Sequence, residues 1–546
     1  MKEIKFIKGE VWYPAVSEYG PDAPYDEKTV REVRFVCNPT CNQMQPLLLS
    51  NKGRTLYEAD GFTASFQNGL IVTDERVILT EGAQDLRGAF LTARDRYFAK
   101  EPIRVAEDLM TKPVYNTWMY APVDVTQDKV IAYAKDILAQ NLQPGTLIID
   151  DKWSKEYGDW RFNESKFPAP EKMLSELHDL GFAVMLWVCP YVSFGTAAFE
   201  ECKKKSLLLM NAEGKWRAEN VCSNFEGDAN EICHRNNGTN EAQEEIYPLE
   251  WWNETSACLD LRKEEAVRYL REAFAELQSI GVDGFKFDGG DSHFYLDEHE
   301  PDRQSLLWTL FSAEYKYNEL RAEFNGAGLS VYERLSDKRH AWGREGVGGI
   351  LPAALMLGLS GHPFFSPDMI GGGEVKDIRE GRMLQEDLFL AHAQAAMLMP
   401  SVQFSILPKE VLGENLPLLH SLIKQRKALL PYIKKLAQNA RISKEPLVRL
   451  MEYEFPGEGF ERILDQFMLG NKYLVKPITT PQVTCTTVRL PKGQWRQVKH
   501  AVTDNVKMKA GDTKNQEGYK EEAVYEGGRE VMLSAGLGEL MILEKV

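Results

Sequence analysis

The sequence has few of the residues that mark metal, disulfide or nucleic-acid chemistry. Its nine histidines are scattered, and none forms a His-x3-His pair that would suit a transition metal. Eight cysteines in 546 residues are too sparse for a disulfide scaffold. A Gly-x4-Gly-Lys-Ser/Thr loop for nucleotide phosphates is absent. The formal net charge of −16 argues against a nucleic-acid partner and against an anionic membrane surface.

Long apolar runs are missing as well. No stretch of 18 apolar residues occurs, so we expect no membrane-spanning helix. The first residues, Met1 to Lys8, lack the apolar run of a signal peptide. With its thiols expected to be reduced, the chain is predicted to be cytoplasmic. The sequence does not define the oligomeric state, and a homo-oligomer stays possible.

The rhythm of apolar residues divides the chain into three parts. Residues 1 to about 105 alternate short apolar and polar runs, as in Glu32–Val36, Phe62–Phe66 and Leu70–Thr73, which predicts an antiparallel β-sandwich. Beyond about residue 112, apolar strand-like runs are followed by helical segments, a pattern typical of βα units with parallel strands. The predicted helices include Thr126–Asn141, with Thr126 as its N-cap, Pro170–Leu180 and Glu264–Ile280. From about residue 436 the strand rhythm returns.

We therefore predict an α/β chain with a (β/α)8 TIM barrel over residues 111–435, an N-terminal β-sandwich domain over residues 1–110 and a small C-terminal β-domain over residues 436–546. An insertion occupies about residues 195–255, at the rim where barrel enzymes carry functional loops. The sixth strand has no clear candidate. The other seven predicted barrel strands are Val114–Met119, Thr146–Ile149, Ala183–Val188, Gly284–Phe287, Leu329–Glu333, Pro363–Ser366 and Val402–Ile406.

Acidic and aromatic residues lie at the carboxyl ends of four of these strands. They are Asp150 and Asp151, Trp187, Asp288, and Asp368. The carboxyl ends of barrel strands meet at one rim, so these side chains would form a ring of hydrogen-bond acceptors that suits a neutral polyol such as a sugar. A hard-cation cage is the alternative reading of clustered aspartates. No cofactor or metal is predicted.

Two carboxyl groups are the best candidates for glycoside cleavage, which needs one ionised and one protonated acid on either side of the scissile bond. Asp288 ends the fourth strand, and Lys286 shares its face and could keep it ionised. Asp337 lies in a loop after the predicted fifth strand, where a bound sugar could bury it and favour the protonated acid. On local sequence alone, a surface ion pair of Asp337 with Lys338 or Arg339 is an equal alternative.

Several motifs, taken together over roughly residues 45–480, resemble glycoside hydrolase family 31. The segments that carry this resemblance are Leu48–Arg54, Pro113–Trp118, Asp150–Trp153, Tyr157–Asp159, Lys166–Pro168, Trp251–Asn253, Phe285–Asp288, Arg334–Asp337, Trp342–Gly343, Pro363–Gly372 and Met399–Ser405. Members of that family are retaining α-glycosidases on a (β/α)8 barrel. The Trp-x-Gly-Asp acid/base setting of most members is absent here, and the compact Arg334–Asp337 segment is similar to an α-galactosidase-like branch instead.

The resemblance implies a role for each matching residue. Asp288 would be the nucleophile and Asp337 the general acid/base. The residues expected to bind or wall the sugar are Asp150, Asp151, Lys286, Arg334, Asp368, Trp187, Trp252 and Trp342. Asp291 stands where that branch usually has Glu, and the insertion is longer than expected.

These observations predict a retaining exo-α-glycosidase, most closely an α-galactosidase, whose partner is an oligosaccharide or glycoside. An α-N-acetylgalactosaminidase, an α-glucosidase or an enzyme for sulfonated glycosides stays open within the same class. A catalytically silent carbohydrate-binding protein and a metal-dependent barrel enzyme are the alternatives from other classes.

Overall fold

The computed structural model describes residues 1–211, 245–251, 255–374, 376–377, 381, 383–483, 485–498, 523–534 and 536–546. Among these residues, none of the helices combines the length and the apolar character needed to cross a bilayer.

The N-terminal part is built from two β-sheets packed on an apolar core. One sheet has the order β1-β7-β6-β3, and the other contains β2, β4, β5 and β8. The core between them includes Trp12, Phe35 and Phe66. The elements are β1 (Lys2–Lys5), β2 (Trp12–Val16), a 3-10 helix (Ser17–Asp22), β3 (Arg31–Arg34), β4 (Gln43–Ser50), β5 (Thr55–Tyr57), β6 (Thr63–Gln67), β7 (Leu70–Thr73), β8 (Ile78–Thr80), α1 (Leu86–Tyr97) and α2 (Asp108–Thr111).

Helix α1 lies inside the segment whose sequence rhythm predicts only strands. Its N-cap Asp85 accepts a hydrogen bond from the Gly88 amide at 2.8 Å, which satisfies one of the open donors of the first turn. Leu86 and Phe90, four residues apart, are fully buried on one face. The predicted sandwich is confirmed, with this helix added to it.

A parallel barrel follows. Its strand order is β19-β18-β16-β15-β11-β10-β9-β21-β20. The elements are β9 (Val114–Asn116), α3 (Gln127–Ala139), β10 (Thr146–Ile149), α4 (Pro170–Asp179), β11 (Ala183–Val188), β12 (Tyr191–Ser193), α5 (Ala197–Lys204), β13 (Leu249–Glu250), β14 (Thr255–Cys258), α6 (Glu264–Ser279), β15 (Gly284–Phe287), α7 (Pro301–Ser312), β16 (Tyr317–Leu320), β17 (Glu323–Phe324), β18 (Glu333–Arg334), α8 (Val347–Leu359), β19 (Phe365–Ser366), β20 (Met369–Ile370), α9 (Glu386–Ala396), β21 (Gln403–Phe404), α10 (Pro408–Leu412) and α11 (Leu416–Ser443).

The seventh barrel strand closes the ring in two steps. Its first half, β19, pairs with β18, and its second half, β20, pairs with β21. Pro367 and Asp368 separate the halves, and Asp368 has a positive φ of 88°. The seventh strand therefore bends at Asp368, and its two halves pair with different neighbouring strands, β18 and β21.

The strand that sequence reasoning could not place is the fifth, not the sixth. It is β16, which contains the polar residues Asn318 and Glu319 and so lacks an apolar run. Asn318 can lie in the interior because its polar atoms are hydrogen-bonded there. Its side-chain nitrogen lies within hydrogen-bond distance of three main-chain carbonyls, and its side-chain oxygen accepts from the Tyr332 amide. The chain from β16 to β18 also holds the short strand β17 instead of a described helix. The loop containing Asp337 consequently follows the sixth strand, which corrects the predicted numbering.

The predicted helices agree closely with the structure. Thr126 is the N-cap of α3, and its hydroxyl accepts from the Lys129 amide at 3.4 Å. Helices α4 and α6 begin at the predicted residues, Pro170 and Glu264.

The insertion is described only at its two ends. Strands β12, β14 and β13 form a small antiparallel sheet beside the barrel rim. Residues 212–244 and 252–254, including the predicted sugar-binding Trp252, lie outside the described residues.

The C-terminal part is a second β-structure. Its six-stranded sheet has the order β22-β23-β24-β29-β26-β27, and β25 pairs with β28. Its core includes Met468, Trp495 and Leu543. The elements are β22 (Val448–Arg449), α12 (Met451–Glu454), β23 (Phe467–Leu469), β24 (Tyr473–Val475), β25 (Cys485–Arg489), β26 (Gln494–Gln497), β27 (Val524–Glu526), β28 (Glu530–Ser534) and β29 (Ile542–Lys545). The domain boundaries stay a prediction.

Candidate active site

Asp288 follows β15, at the carboxyl end of the fourth barrel strand. Its Oδ2 accepts a hydrogen bond from the Trp187 indole at 3.0 Å. Its Oδ1 accepts from Arg321 Nε and from the Gly289 amide, each at 2.9 Å. Burial alone would raise the pKa of Asp288, but the charges of Arg321, Lys286 and Arg334, with the Trp187 hydrogen bond, hold that pKa well below its usual range. The carboxylate is ionised and held by donors to both oxygens.

Arg321 is a site residue that sequence reasoning missed. It comes directly after β16, the unrecognised fifth strand, so no strand-end signal marked it. Besides Asp288, its guanidinium contacts both oxygens of the buried Asp291, each at 3.1 Å, and the main-chain carbonyl of Cys41. Arg321 therefore joins the predicted nucleophile to a second buried carboxylate. Asp291, noted in the sequence as a departure from the usual Glu, is the anchor of this arginine.

Asp337 lies in the loop after β18 and has a half-open side chain, 39% exposed. Its Oδ1 accepts from Arg334 Nη1 at 2.6 Å, and the same nitrogen donates to Asp368 at 2.9 Å.

The two cations considered as alternative partners of Asp337 have other partners, because Lys338 bonds Ser336 and Arg339 bonds Asp377. Arg334 is nearly fully buried, and its charge also lowers the pKa of Asp288. This arginine is thus electrostatically coupled to both predicted catalytic carboxylates.

Asp368 sits at the bend of the seventh strand, where its backbone lies in the left-handed region. Its Oδ2 accepts from the Lys338 amide at 2.7 Å, so it also fixes the loop that carries Asp337. Burial raises the pKa of Asp368, the Arg334 charge opposes that rise and nearby Asp337 adds to it, giving a pKa of about 7. Asp337 and Asp368 thus share one positive partner, Arg334.

The aspartates after the second strand face the same mouth. Asp150 accepts from Lys286 Nζ at 2.6 Å, a fully buried ion pair. Lys286 was predicted to keep Asp288 ionised. It is paired with Asp150, and its positive charge also lowers the pKa of Asp288, after that of Arg321. Asp151 accepts from Tyr157 at 2.9 Å, and burial raises its pKa to about 6 although Lys152 and Tyr157 lower it.

Aromatic rings wall the side of Asp288. Trp187 stacks on Trp251 with ring centroids 5.7 Å apart and 14° between the planes. Tyr157 and Tyr191 pack against the Trp251 ring at 6.0 and 4.9 Å. Trp342 packs, partly buried, against both the main core and the core of the C-terminal sheet. The aromatic wall observed is therefore built around Trp187 and Trp251.

Within the described part of the chain, one group of side chains has donor atoms close enough for a metal ion, namely Cys41, Asp291 and His293, within 4.8 Å of one another. Both oxygens of Asp291, however, already accept from the Arg321 guanidinium. A fixed positive charge at that distance opposes a second cation. The donor set therefore fits an arginine better than a metal.

Comparison with known proteins identifies the family to which this chain belongs. The glycosyl hydrolases family 31 TIM-barrel domain matches residues 114–436, and the glycosyl hydrolase family 31 C-terminal domain matches residues 444–526. The chain belongs to glycosyl hydrolase family 31, and the resemblance read from its motifs is confirmed.

Two curated relatives show how similar this sequence is to individual proteins. The chain is 30% identical over 426 residues to the myogenesis-regulating glycosidase of Mus musculus, covering 75% of this chain and 55% of that protein. It is 23% identical over 430 residues to an alpha-xylosidase of Emericella nidulans, covering 73% of this chain and 50% of that protein. The chain thus spans about half the length of the curated relatives it matches.

A solved structure shares the fold. The GH31 dextranase FjDex31A of Flavobacterium johnsoniae, complexed with glucose, superposes with a TM-score of 0.77 at 16% identity, covering 100% of this chain and 66% of that one. At this identity the likeness supports the architecture and leaves the substrate to be argued from the site.

Proposed function

We propose that this protein is a retaining exo-α-glycosidase that hydrolyses terminal α-linked sugars, with α-galactosides as its substrates. The observation that carries the proposal is the state of Asp288: an ionised carboxylate at the carboxyl end of the fourth barrel strand, with donors on both oxygens. Such a carboxylate is suited to attack an electrophilic carbon without first losing a proton. Asp337, in the loop after the sixth barrel strand and 39% exposed, supplies the second carboxyl group.

In the first step, an Asp288 oxygen bonds to the anomeric carbon while the bond from that carbon to the leaving oxygen breaks. The proton of Asp337 passes to the leaving oxygen, so the leaving group departs as an alcohol. The glycosyl unit is left as an ester on Asp288. A bound sugar would cover the half-open Asp337 side chain.

In the second step, the Asp337 carboxylate takes a proton from water, and the water oxygen bonds to the anomeric carbon. The ester bond breaks and Asp288 recovers its charge. Two inversions at one carbon retain the α configuration. We expect the two carboxyl groups to stand about 5–5.5 Å apart in the sugar complex, and a gap of about 6.5–9.5 Å around a water would indicate inversion instead.

The sugar is held by acceptors that follow the second barrel strand. Asp150 and Asp151 are buried and fixed by Lys286 and Tyr157, so their oxygens offer hydrogen bonds in a defined geometry. The Trp187 and Trp251 rings supply an apolar face for stacking. Asp368 and Arg334 complete the predicted sugar-binding set, in which the roles of Trp252 and Trp342 also stay predictions.

The preference for galactose is supported by the compact Arg334–Asp337 segment and its resemblance to the α-galactosidase-like branch. The named relatives include an alpha-xylosidase and a dextranase, so activity on α-glucosides, α-xylosides or α-N-acetylgalactosaminides is the alternative. A panel of aryl α-glycosides assayed with the purified chain decides among them. Galactoside turnover at least tenfold above the other sugars supports the assignment, and a better rate on another sugar replaces it.

Retention is tested by following the anomeric proton of the first-formed sugar by NMR. Release of the α-anomer supports the double displacement, and release of the β-anomer contradicts it. A 2-deoxy-2-fluoro glycosyl fluoride of the best sugar should label Asp288, seen as a mass increase on its peptide. A chain that turns over none of the panel yet binds sugars would instead be a carbohydrate-binding protein on this scaffold.

A further inference from the structure

Gln43, on β4 of the N-terminal sandwich, reaches under the barrel rim. Its side chain is fully buried, and its amide nitrogen lies within hydrogen-bond distance of three oxygens. These are the main-chain carbonyls of Arg321 and Arg334, each at 2.8 Å, and Glu333 Oε2 at 2.9 Å. One side chain outside the barrel therefore holds the backbone of two different barrel strand ends.

The orientation of the Gln43 amide is determined by its partners. Main-chain carbonyls only accept hydrogen bonds, so the nitrogen must face Arg321 and Arg334. On the other side, Gln43 Oε1 accepts from the Ser17 hydroxyl at 3.0 Å. The amide is thus satisfied on both sides and has a single arrangement in this buried setting.

The two carbonyls belong to the arginines of the active site. Arg321 holds Asp288 at 2.9 Å, and Arg334 holds Asp337 at 2.6 Å. The distance between the two guanidinium groups depends on the distance between the backbones of Arg321 and Arg334. A hydrogen-bonded link between those backbones therefore influences the distance between the Asp288 and Asp337 carboxylates.

Two further contacts attach the same sandwich to the same rim. Strand β17, two residues after Arg321, pairs in parallel with β4, placing Glu323 opposite Gln43. In the acid/base loop, Ser336 donates to Glu18 of the N-terminal 3-10 helix at 2.6 Å, and Lys338 lies 3.6 Å from the same carboxylate. The N-terminal part thus contacts the residues on both sides of Asp337.

We propose that Gln43 is a positioning residue for catalysis: it fixes Arg321 and Arg334 relative to one another, and through them the nucleophile and the acid/base. This inference rests on the proposed glycosidase function. Removing the amide leaves two main-chain carbonyls, one buried and one part-buried, without this donor, so the strand ends are expected to shift. A displacement of about 1 Å between reacting groups can reduce the rate by roughly 100-fold.

The test compares Gln43→Met with Gln45→Met. Gln45 lies two residues along β4, is equally buried, and uses its amide to bind Asn325 and the Ala327 backbone instead of the arginines. Methionine keeps the volume and removes the hydrogen bonds in both variants. The two substitutions therefore remove the same chemistry from neighbouring positions, and only one of them touches the catalytic arginines.

The expected result is a 10- to 100-fold fall in kcat for Gln43→Met with KM changed less than threefold, and a kcat within about twofold of wild type for Gln45→Met. The acidic limb of kcat/KM should also move to higher pH in Gln43→Met, because a displaced Arg321 raises the pKa of Asp288. A merely destabilised protein would not shift this limb. Wild-type kcat in Gln43→Met, or an equal loss in both variants, overturns the proposal.

Gln43→Asn serves if the methionine variant does not fold, because it keeps the donor but is one methylene shorter. It is expected to give an intermediate kcat, and a wild-type value contradicts the proposal. Crystal structures of the variants separate this inference from the proposed function. If the wild-type chain turns over no glycoside, the function fails, whereas unchanged Arg321–Asp288 and Arg334–Asp337 distances in Gln43→Met sink the positioning role.

Discussion

Arg321 Nε donates to Oδ1 of Asp288 at 2.9 Å, and the opposite edge of the same guanidinium is taken by both oxygens of Asp291. Asp291 therefore fixes the orientation of the Arg321 guanidinium, and in that orientation Arg321 donates to Asp288. Buried charges are tolerated where they are paired and hydrogen-bonded, as here. This chain of ion pairs explains how a carboxylate in a mostly enclosed site keeps its charge.

Replacing Arg321 with Lys should reduce kcat/KM for an aryl α-glycoside on the order of 100-fold, because a point charge cannot bind Asp288 and Asp291 together. The pKa of Asp288 rises when this partner is weakened, so ionisation of the nucleophile, and activity with it, is lost at a higher pH than in wild type. The measurement is a pH profile of kcat/KM. Arg271→Lys, at an exposed ion pair with Glu314, is the matched control and should leave the profile unchanged.

Asp337→Ala should slow the first step in proportion to the need for a proton on the leaving group. Substrates with poor leaving groups are expected to lose about 100- to 10,000-fold, and activated aryl glycosides far less. Pre-steady-state rates for a series of aryl leaving groups measure this dependence. Equal losses across the series would show that Asp337 is not the general acid.

Asp291→Asn tests whether the Cys41, Asp291 and His293 group serves an arginine or a metal. The substitution should release Arg321 and lower kcat about tenfold or more, to the same extent before and after treatment with EDTA. Wild-type activity should be unchanged by EDTA. Recovery of activity on adding Zn²⁺ or Mn²⁺ to the EDTA-treated wild type would argue for a metal site instead.

Asp151 is predicted to make stability depend on pH. Its pKa in the folded protein is about 6, above the ordinary value of about 3.9 for an unfolded chain. The folded state therefore binds more protons than the unfolded state between about pH 4 and 6, and the free energy of unfolding falls by about 3 kcal/mol as pH rises through that window.

Asp151→Asn should remove this dependence. Relative to wild type, the variant is expected to gain stability at about pH 7.5 compared with about pH 4, by an amount on the order of 3 kcal/mol. Urea unfolding at the two pH values measures the difference, and the groups shared by both proteins cancel. A constant difference between variant and wild type at both pH values would show that the pKa of Asp151 is not raised by folding.

Much of the barrel was predictable because its strands and helices carry local patterns. Helix α3 has an N-cap threonine and apolar residues at helical spacing, and β15 is a short, mostly apolar segment ended by Asp288 and two glycines. Strand β16 escaped because Asn318 and Glu319 make it look polar. Its burial depends on partners at Ser312, Ser330 and other positions that the local sequence does not reveal.

The sequence by itself predicted the barrel and the sandwich before it, because apolar periodicity is a local signal. Its motifs carried the resemblance to the family, and that resemblance implied roles for the two candidate catalytic aspartates. Only the tertiary structure decided which cation serves which carboxylate. Lys286 binds Asp150, Arg321 binds Asp288, and Arg334 binds Asp337 and Asp368. Ion pairing depends on distances of a few ångströms between residues far apart in the chain, and no local pattern shows those distances. The contacts of Gln43 with Arg321 and Arg334 are likewise visible only in the tertiary structure, because Gln43 belongs to the N-terminal sandwich and the two arginines to the barrel.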